Sequence, residues 1–92
     1  MARVTARGIG RIESTYTSDL GTLSWAWVMT KDGRVLYRLT RINGRPERNE
    51  WRLIYQLRVS ERREIGTDTT KAVDLLARLA RERGHQLGPD RR

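Results

Sequence analysis

The tripeptide Lys31-Asp32-Gly33 separates two runs rich in β-branched and aromatic residues, TLSWAWVMT (22–30) and RVLYRLTRI (34–42). The length of the turn between them decides which residues share a face. A two-residue Asp-Gly turn would set Val28 opposite Tyr37 and Ala26 opposite Leu39, leaving Trp25 and Trp27 on the side of Arg38 and Thr40. A three-residue turn with Gly33 left-handed in a bulge pairs Met29 with Val35, Trp27 with Tyr37 and Trp25 with Leu39. The second register is expected, because side chains alternate with a period of two and a slip of one residue turns every one of them to the wrong face.

A third run, WRLIYQLRVS (51–60), carries Trp51, Leu53, Tyr55, Leu57 and Val59 at its odd positions and mostly arginine, glutamine and serine between them. The same parity argument favours Leu39 opposite Leu53 and Tyr37 opposite Tyr55, and leaves NGRPERN (43–49) as a loop. After GTDTT the period changes. Ala72, Val73, Leu75, Leu76, Leu79 and Ala80 form one apolar stripe of a helix, with Asp68 or Thr69 as N-cap and Gly84 just beyond its end. RREIG (62–66) and RGIGRIESTYT near the N-terminus are candidates for two further short strands. The expectation is an α+β fold, a three- to four-stranded antiparallel meander packed against one C-terminal helix. Residues 1–21 form an N-terminal arm or edge strand, 22–84 the βββ(β)α domain, and 85–92 a disordered tail around the Gly88-Pro89 break.

Ninety-two residues bound the chain to one domain with a modest core, which a homodimer would enlarge. Without cysteine there is neither a disulfide framework nor a thiolate metal site, in keeping with a cytoplasmic location. No apolar run follows the early arginines and none approaches a membrane span, so neither a leader peptide nor a membrane partner is expected.

The formal charge is +8, and every basic residue except Lys31 and Lys71 is arginine. The excess is central. Residues 1–21 hold three basic and two acidic groups (+1), residues 22–63 ten and four (+6), and residues 64–92 six and five (+1). Arginine's planar fork matches phosphates and guanine edges, so a nucleic acid, DNA before RNA, is the favoured partner. In the expected register the outward sheet face shows Ser24, Ala26, Val28, Leu36, Arg38, Thr40, Arg52, Ile54, Gln56 and Arg58. Val28, Leu36 and Ile54 exposed together call for a cover: the N-terminal segment, a second subunit or a ligand. Arg38, Arg52 and Arg58 can rim that patch and still reach phosphates or base edges. Arg45 and Arg48 in the loop are further candidates, as are Arg62 and Arg63 beside Glu61 and Glu64. Arg3, Arg7 and Arg11 form either a basic arm or a plain unstructured terminus.

The junction REIGTDTTKAVDLLARLA, with Gly66, Thr67, Asp68, Thr69 and Ala72, resembles the three-stranded-sheet DNA-binding domains of plant ethylene-response factors and of integrase arm-binding domains. The resemblance covers about a fifth of the chain with its helix included. It implies sheet arginines and tryptophans in a major groove, which carries over to Arg38, Arg52 and Arg58, although Trp25, Trp27 and Trp51 are expected inward. With an N-terminal strand the topology is also similar to strands-then-helix dimers that bind single strands.

Nothing in the sequence asks for a cofactor or a metal, and no nucleophile motif or paired acid suggests catalysis. His85 is expected to be solvated in the tail. Among enzymes, a small basic endoribonuclease toxin is the class with suitable residue types, in Tyr37, Tyr55 and Arg58. The sequence therefore reads as a small DNA-binding regulator of the phage or mobile-element kind. The alternative is an interaction module, or a homodimer formed through the outward face, that docks on an acidic partner.

Overall fold

A computed structural model describes residues 8–88. Its strands are β1 (Gly10–Ser18), β2 (Gly21–Met29), β3 (Arg34–Ile42), β4 (Arg45–Pro46), β5 (Arg52–Gln56) and β6 (Gln86–Leu87), and its helices are α1 (Val59–Ile65) and α2 (Thr69–Glu82). All pairings are antiparallel, in the order β4-β3-β2-β1-β6, with β5 sharing the outer edge of β3 with β4. The fold is α+β as expected, with more strands and one more helix than the sequence suggested.

The first turn has the expected form. Met29 pairs with Val35, Trp27 with Tyr37 and Trp25 with Leu39, and Gly33 has φ +87°. The N-terminal segment is a full strand, and β1 lies inside the sheet between β2 and β6 rather than at a free edge. The helix side of the sheet gathers Trp27, Met29 and Val35 against Leu75, Leu76 and Leu79 of α2 and Ile65 of α1. Trp25 stacks on Tyr37 beside them, with ring centroids 4.7 Å apart and planes 14° from parallel. Asp68 caps α2 by accepting from the Lys71 N–H at 3.2 Å, and Gly84, at φ +85°, ends it. The helix comes close to the sheet because Gly10 lacks a side chain: a Cβ there would stand 2.9 Å from the Cβ of Ala72.

Three expectations are corrected. The segment 43–49 is not all loop. Asn43 (φ 51°) and Gly44 (φ 83°) make a two-residue turn, which puts Arg45 opposite Ile42 and Pro46 opposite Arg41. That end of the β3 edge is then occupied, so the third run joins it further along. Val35 faces Tyr55, Leu36 faces Leu53 and Tyr37 faces Arg52, with a bulge between Val35 and Leu36 that turns Ile54 as well as Tyr55 toward the core. The strand also stops at Gln56 instead of Ser60.

RREIG is the second correction, since Arg62 to Ile65 complete α1 and Gly66 caps it, with no strand there. Glu61 accepts from the Arg58 N–H at 2.8 Å and from the Tyr55 hydroxyl at 2.9 Å, which anchors the start of the helix to β5. These bonds, the one to the Arg58 N–H foremost, hold the Glu61 carboxyl below its ordinary range. The third correction concerns the tail. The His85 N–H bonds the Ala80 carbonyl at 2.9 Å and turns the chain back, so that Leu87 pairs with Ser14, Gln86 with Thr15, and the Gly88 N–H donates to the Glu13 carbonyl at 2.7 Å. Residues 89–92 lie outside the described residues, as do Arg3 and Arg7 of the proposed arm. No described helix is long and apolar enough to cross a membrane.

The Gly10–Ala72 approach leaves no room for a larger side chain. Ala72→Leu should cost about 1–3 kcal/mol of stability through overpacking. Urea denaturation of the two proteins measures it, and an unchanged midpoint would mean that α2 is not seated on Gly10.

Candidate nucleic-acid interface

The face of the sheet turned away from the helices is built from alternate residues of four strands. Register places Arg11, Glu13 and Thr15 beside Ser24, Ala26 and Val28, then Leu36 and Arg38, then Leu53. Ala26 and Val28 are buried, although the sequence expected them open. Part of the cover is internal. The backbone of Gly8 lies so near Val28 that a Cβ on it would stand 2.8 Å from Val28 Cγ2.

Trp51, expected in the core, stands on this face as well. Its ring centroid is 5.2 Å from the guanidinium carbon of Arg38 and 5.7 Å from that of Arg11. The turn at Asn43-Gly44 is the cause, because it delays β5 until Arg52 and leaves Trp51 in the preceding connection, outside the strand's alternation. Each guanidinium–indole contact contributes about 0.5–1 kcal/mol at an exposed site. Arg38 is further held by a long 3.5 Å bond from Nη1 to the Asn49 carbonyl, while its buried Nε has no partner among the described residues.

A bulge brings in a residue that parity reasoning missed. Trp25 pairs with Leu39 but Ser24 with Arg41, so Thr40 is the extra residue, and its hydroxyl donates to the Ser24 carbonyl at 3.1 Å. Beyond it Arg41 shares the face of Ser24. A groove of about 390 Å³ runs there between Arg11 and Arg41 over Thr15, Ser24 and Ala26. The available signal was an arginine at a nominally inward position near the end of a strand.

The candidate arginines therefore divide. Arg38 and Arg41 on β3, Arg45 on β4, Arg48 in the following connection and Arg52 at the start of β5 follow one edge of the sheet. Arg52 stands opposite Tyr37, hence on the helix side of that edge and not on the outward face as expected. Arg58, Arg62 and Arg63 lie elsewhere, because Arg58 precedes α1 and the other two belong to it. Ion pairs among the described residues are Arg34–Asp32, Lys71–Glu64, Arg78–Glu61 and Arg78–Glu82. None involves an arginine of the β3 edge, where residues 38–52 carry Arg38, Arg41, Arg45, Arg48 and Arg52 against Glu47 and Glu50 (+5 and −2, net +3), with Glu13 two strands away on the outward face.

On the helix side, a polar chain passes through the aromatic core. The Trp27 indole donates to Ser14 Oγ at 2.8 Å, and Ser14 Oγ is 2.8 Å from His85 Nδ1. The imidazole lies among the rings of Tyr16, Trp25 and Trp27 at centroid distances of 5.3, 5.8 and 5.4 Å. His85 is thus partly buried and bonded, not a solvated tail residue. A serine beside a histidine has the elements of a nucleophile and base, but Ser14 is 1% exposed and its oxygen already accepts from an indole. Its work is to satisfy Trp27 and to fix β6. Tyr37 and Tyr55, the residues a ribonuclease reading would use, are half-buried, and Tyr55 is committed to Glu61. Among the described residues no three His, Asp or Glu side chains are grouped to hold a metal ion. Comparison with models of protein families, with characterised proteins and with solved structures gave no match.

Burial, and secondarily the charge of Arg83, hold the His85 imidazole below its ordinary 6.5. With the ring neutral, Ser14 can donate to Nδ1, whereas protonation removes that acceptor. Because the folded value is the lower one, this stability is complete above about 6.5 and is lost as pH falls through the folded value. Denaturant titrations between about pH 8 and 5 should show His85→Gln losing less stability on acidification than the wild type. Parallel losses in both proteins would refute the linkage.

Proposed function

We propose that this protein binds DNA through the arginine edge of its sheet, with Arg38, Arg41, Arg45, Arg48 and Arg52 meeting phosphates and Trp51 and Arg11 completing the surface beside them. The observation that carries this reading is that these five arginines follow one strand edge and none takes part in an ion pair among the described residues, whereas Arg34 and Arg78 are ion-paired. Unpaired arginines arranged along a strand edge suit a polyanion with regularly spaced charges. The resemblance of the Gly66–Ala72 junction to sheet-based DNA-binding domains supports DNA over RNA, although here that junction follows a helix instead of a strand.

Fluorescence anisotropy of labelled duplex DNA over a salt series tests it. Log affinity should fall linearly with log salt at about −0.9 per phosphate neutralised. Arg38→Ala and Arg41→Ala should each weaken binding roughly tenfold and make the salt slope shallower by about one, with the fold kept. Absence of binding at low salt, or unchanged affinity in both variants, would overturn the reading.

Leu53 favours a second reading. It is 54% exposed and lies opposite Leu36 on the same face, an arrangement that suits association of two copies there. Sedimentation should then show a dimer that Leu53→Glu dissociates, and a monomer at all concentrations would exclude it.

A further inference from the structure

A cleft of about 400 Å³ opens at the opposite end of the core, between the Lys31–Gly33 turn, the segment leading into α1 and the α1–α2 junction. Its floor is apolar, with Met29, Leu57 and Ile65 buried there, and Val59 at the start of α1 is left 66% exposed. Its basic residues are Lys31, Arg62 and Arg63, and no carboxylate lines it among the described residues.

The nearby acids are already engaged. Asp32 pairs with Arg34 and accepts from the Thr30 hydroxyl, Glu61 accepts from Tyr55 and the Arg58 N–H, Glu64 pairs with Lys71, and Asp68 caps α2. The three cations take part in no ion pair among the described residues. Arg62 is also fixed in place. Its stem lies on Gly33, where an added Cβ would stand 2.6 Å from its Cδ. Three uncompensated cations around an apolar hollow of this size match a ligand that joins one anionic head to an apolar body.

We propose that this cleft binds a small amphipathic organic anion, its carboxylate or phosphate head among Lys31, Arg62 and Arg63 and its apolar body against Met29, Leu57 and Ile65. The site is separate from the arginine edge of the sheet. A carboxylate is held by charge-assisted hydrogen bonds and a phosphate by more of the same, so the head chemistry is shared and the source is decided by which head binds more tightly.

Titration of the uniformly ¹⁵N-labelled full chain with octanoate, octyl phosphate and octanol, followed by amide NMR, tests the proposal. Octanoate or octyl phosphate should give saturable shifts centred on Gly33, Gly66 and Thr67, and octanol should bind at least about tenfold more weakly. The variant Lys31→Gln/Arg62→Gln/Arg63→Gln should weaken the anion by a similar factor. Because Arg62 also packs on the turn, Val59→Glu provides a second variant, placing a carboxylate at an exposed position beside the cleft, and should likewise weaken the anion at least about tenfold. Arg38→Ala should leave octanoate binding unchanged, which keeps this result distinct from that of DNA binding. Absence of saturable shifts with either anion, equal binding of octanol, unchanged affinity in both cleft variants, or shifts centred on the Trp51 face would each overturn it.

Discussion

The left-handed backbone at Gly33 is the constraint on which the rest of this structure depends. At φ +87° the chain reverses after one extra residue, with the Thr30 N–H bonded to the Arg34 carbonyl at 2.8 Å and the Gly33 N–H to the Thr30 carbonyl at 3.1 Å. That reversal fixes the pairing of β2 with β3 and so decides which residues turn to the helices. Two further parts of the fold rest on the same residue. The Gly33 carbonyl accepts from the Leu57 N–H at 2.8 Å as the chain leaves β5, and the stem of Arg62 occupies the space that a side chain on Gly33 would need. A residue with a Cβ would therefore strain the turn and displace α1 together.

Seventeen of the nineteen basic residues are arginines, yet the fold gives them different work. Arg62 packs over the turn, Arg34 answers Asp32 within it, and Arg78 bridges Glu61 of α1 and Glu82 one helical turn along α2. Helical spacing explains the last of these pairs, because it puts residues four apart on one face. On the β3 edge the acids are few, and Arg38 leans on the ring of Trp51 instead of a carboxylate. Such a contact holds the stem in place without neutralising the charge, so the guanidinium keeps its capacity to meet an anion.

Packing the indoles of Trp25 and Trp27 on the helix side creates a problem of hydrogen-bond partners, and the structure solves half of it. The Trp27 indole reaches Ser14, and His85 joins them, which ties the C-terminal strand to the core. The Trp25 indole nitrogen, stacked on Tyr37, is buried without a partner among the described residues. An unsatisfied buried donor of this kind costs about 1–3 kcal/mol. The stacking of the two rings offsets part of that cost.

Local chemistry determined what depends on near neighbours. Parity around Lys31-Asp32-Gly33 dictated the β2–β3 register, and apolar period with Asp68 and Gly84 marked the limits of α2, because turns, caps and periodicity act over a few residues. The central excess of positive charge was legible too, being a property of the sequence itself. What the sequence left undecided were choices between competing partners. WRLIYQLRVS alternates as a strand throughout, but the chain left the sheet after Gln56, and Val59 and Ser60 opened α1 once Leu57 had bonded to Gly33 and Glu61 could reach the Arg58 N–H and Tyr55. Trp51 left the core because β4 had taken its stretch of the β3 edge, and Arg41 reached the outward face through a bulge that no periodicity announces. His85, alone in a polar tail, found Ser14 seventy-one residues away. The sequence by itself thus determined the first hairpin register, the main helix and the sign of the charge. Only the tertiary structure decided which arginines share a surface and which side chains line the cleft, since edge occupancy, bulges and long-range hydrogen bonds are settled by competition among segments distant in the chain.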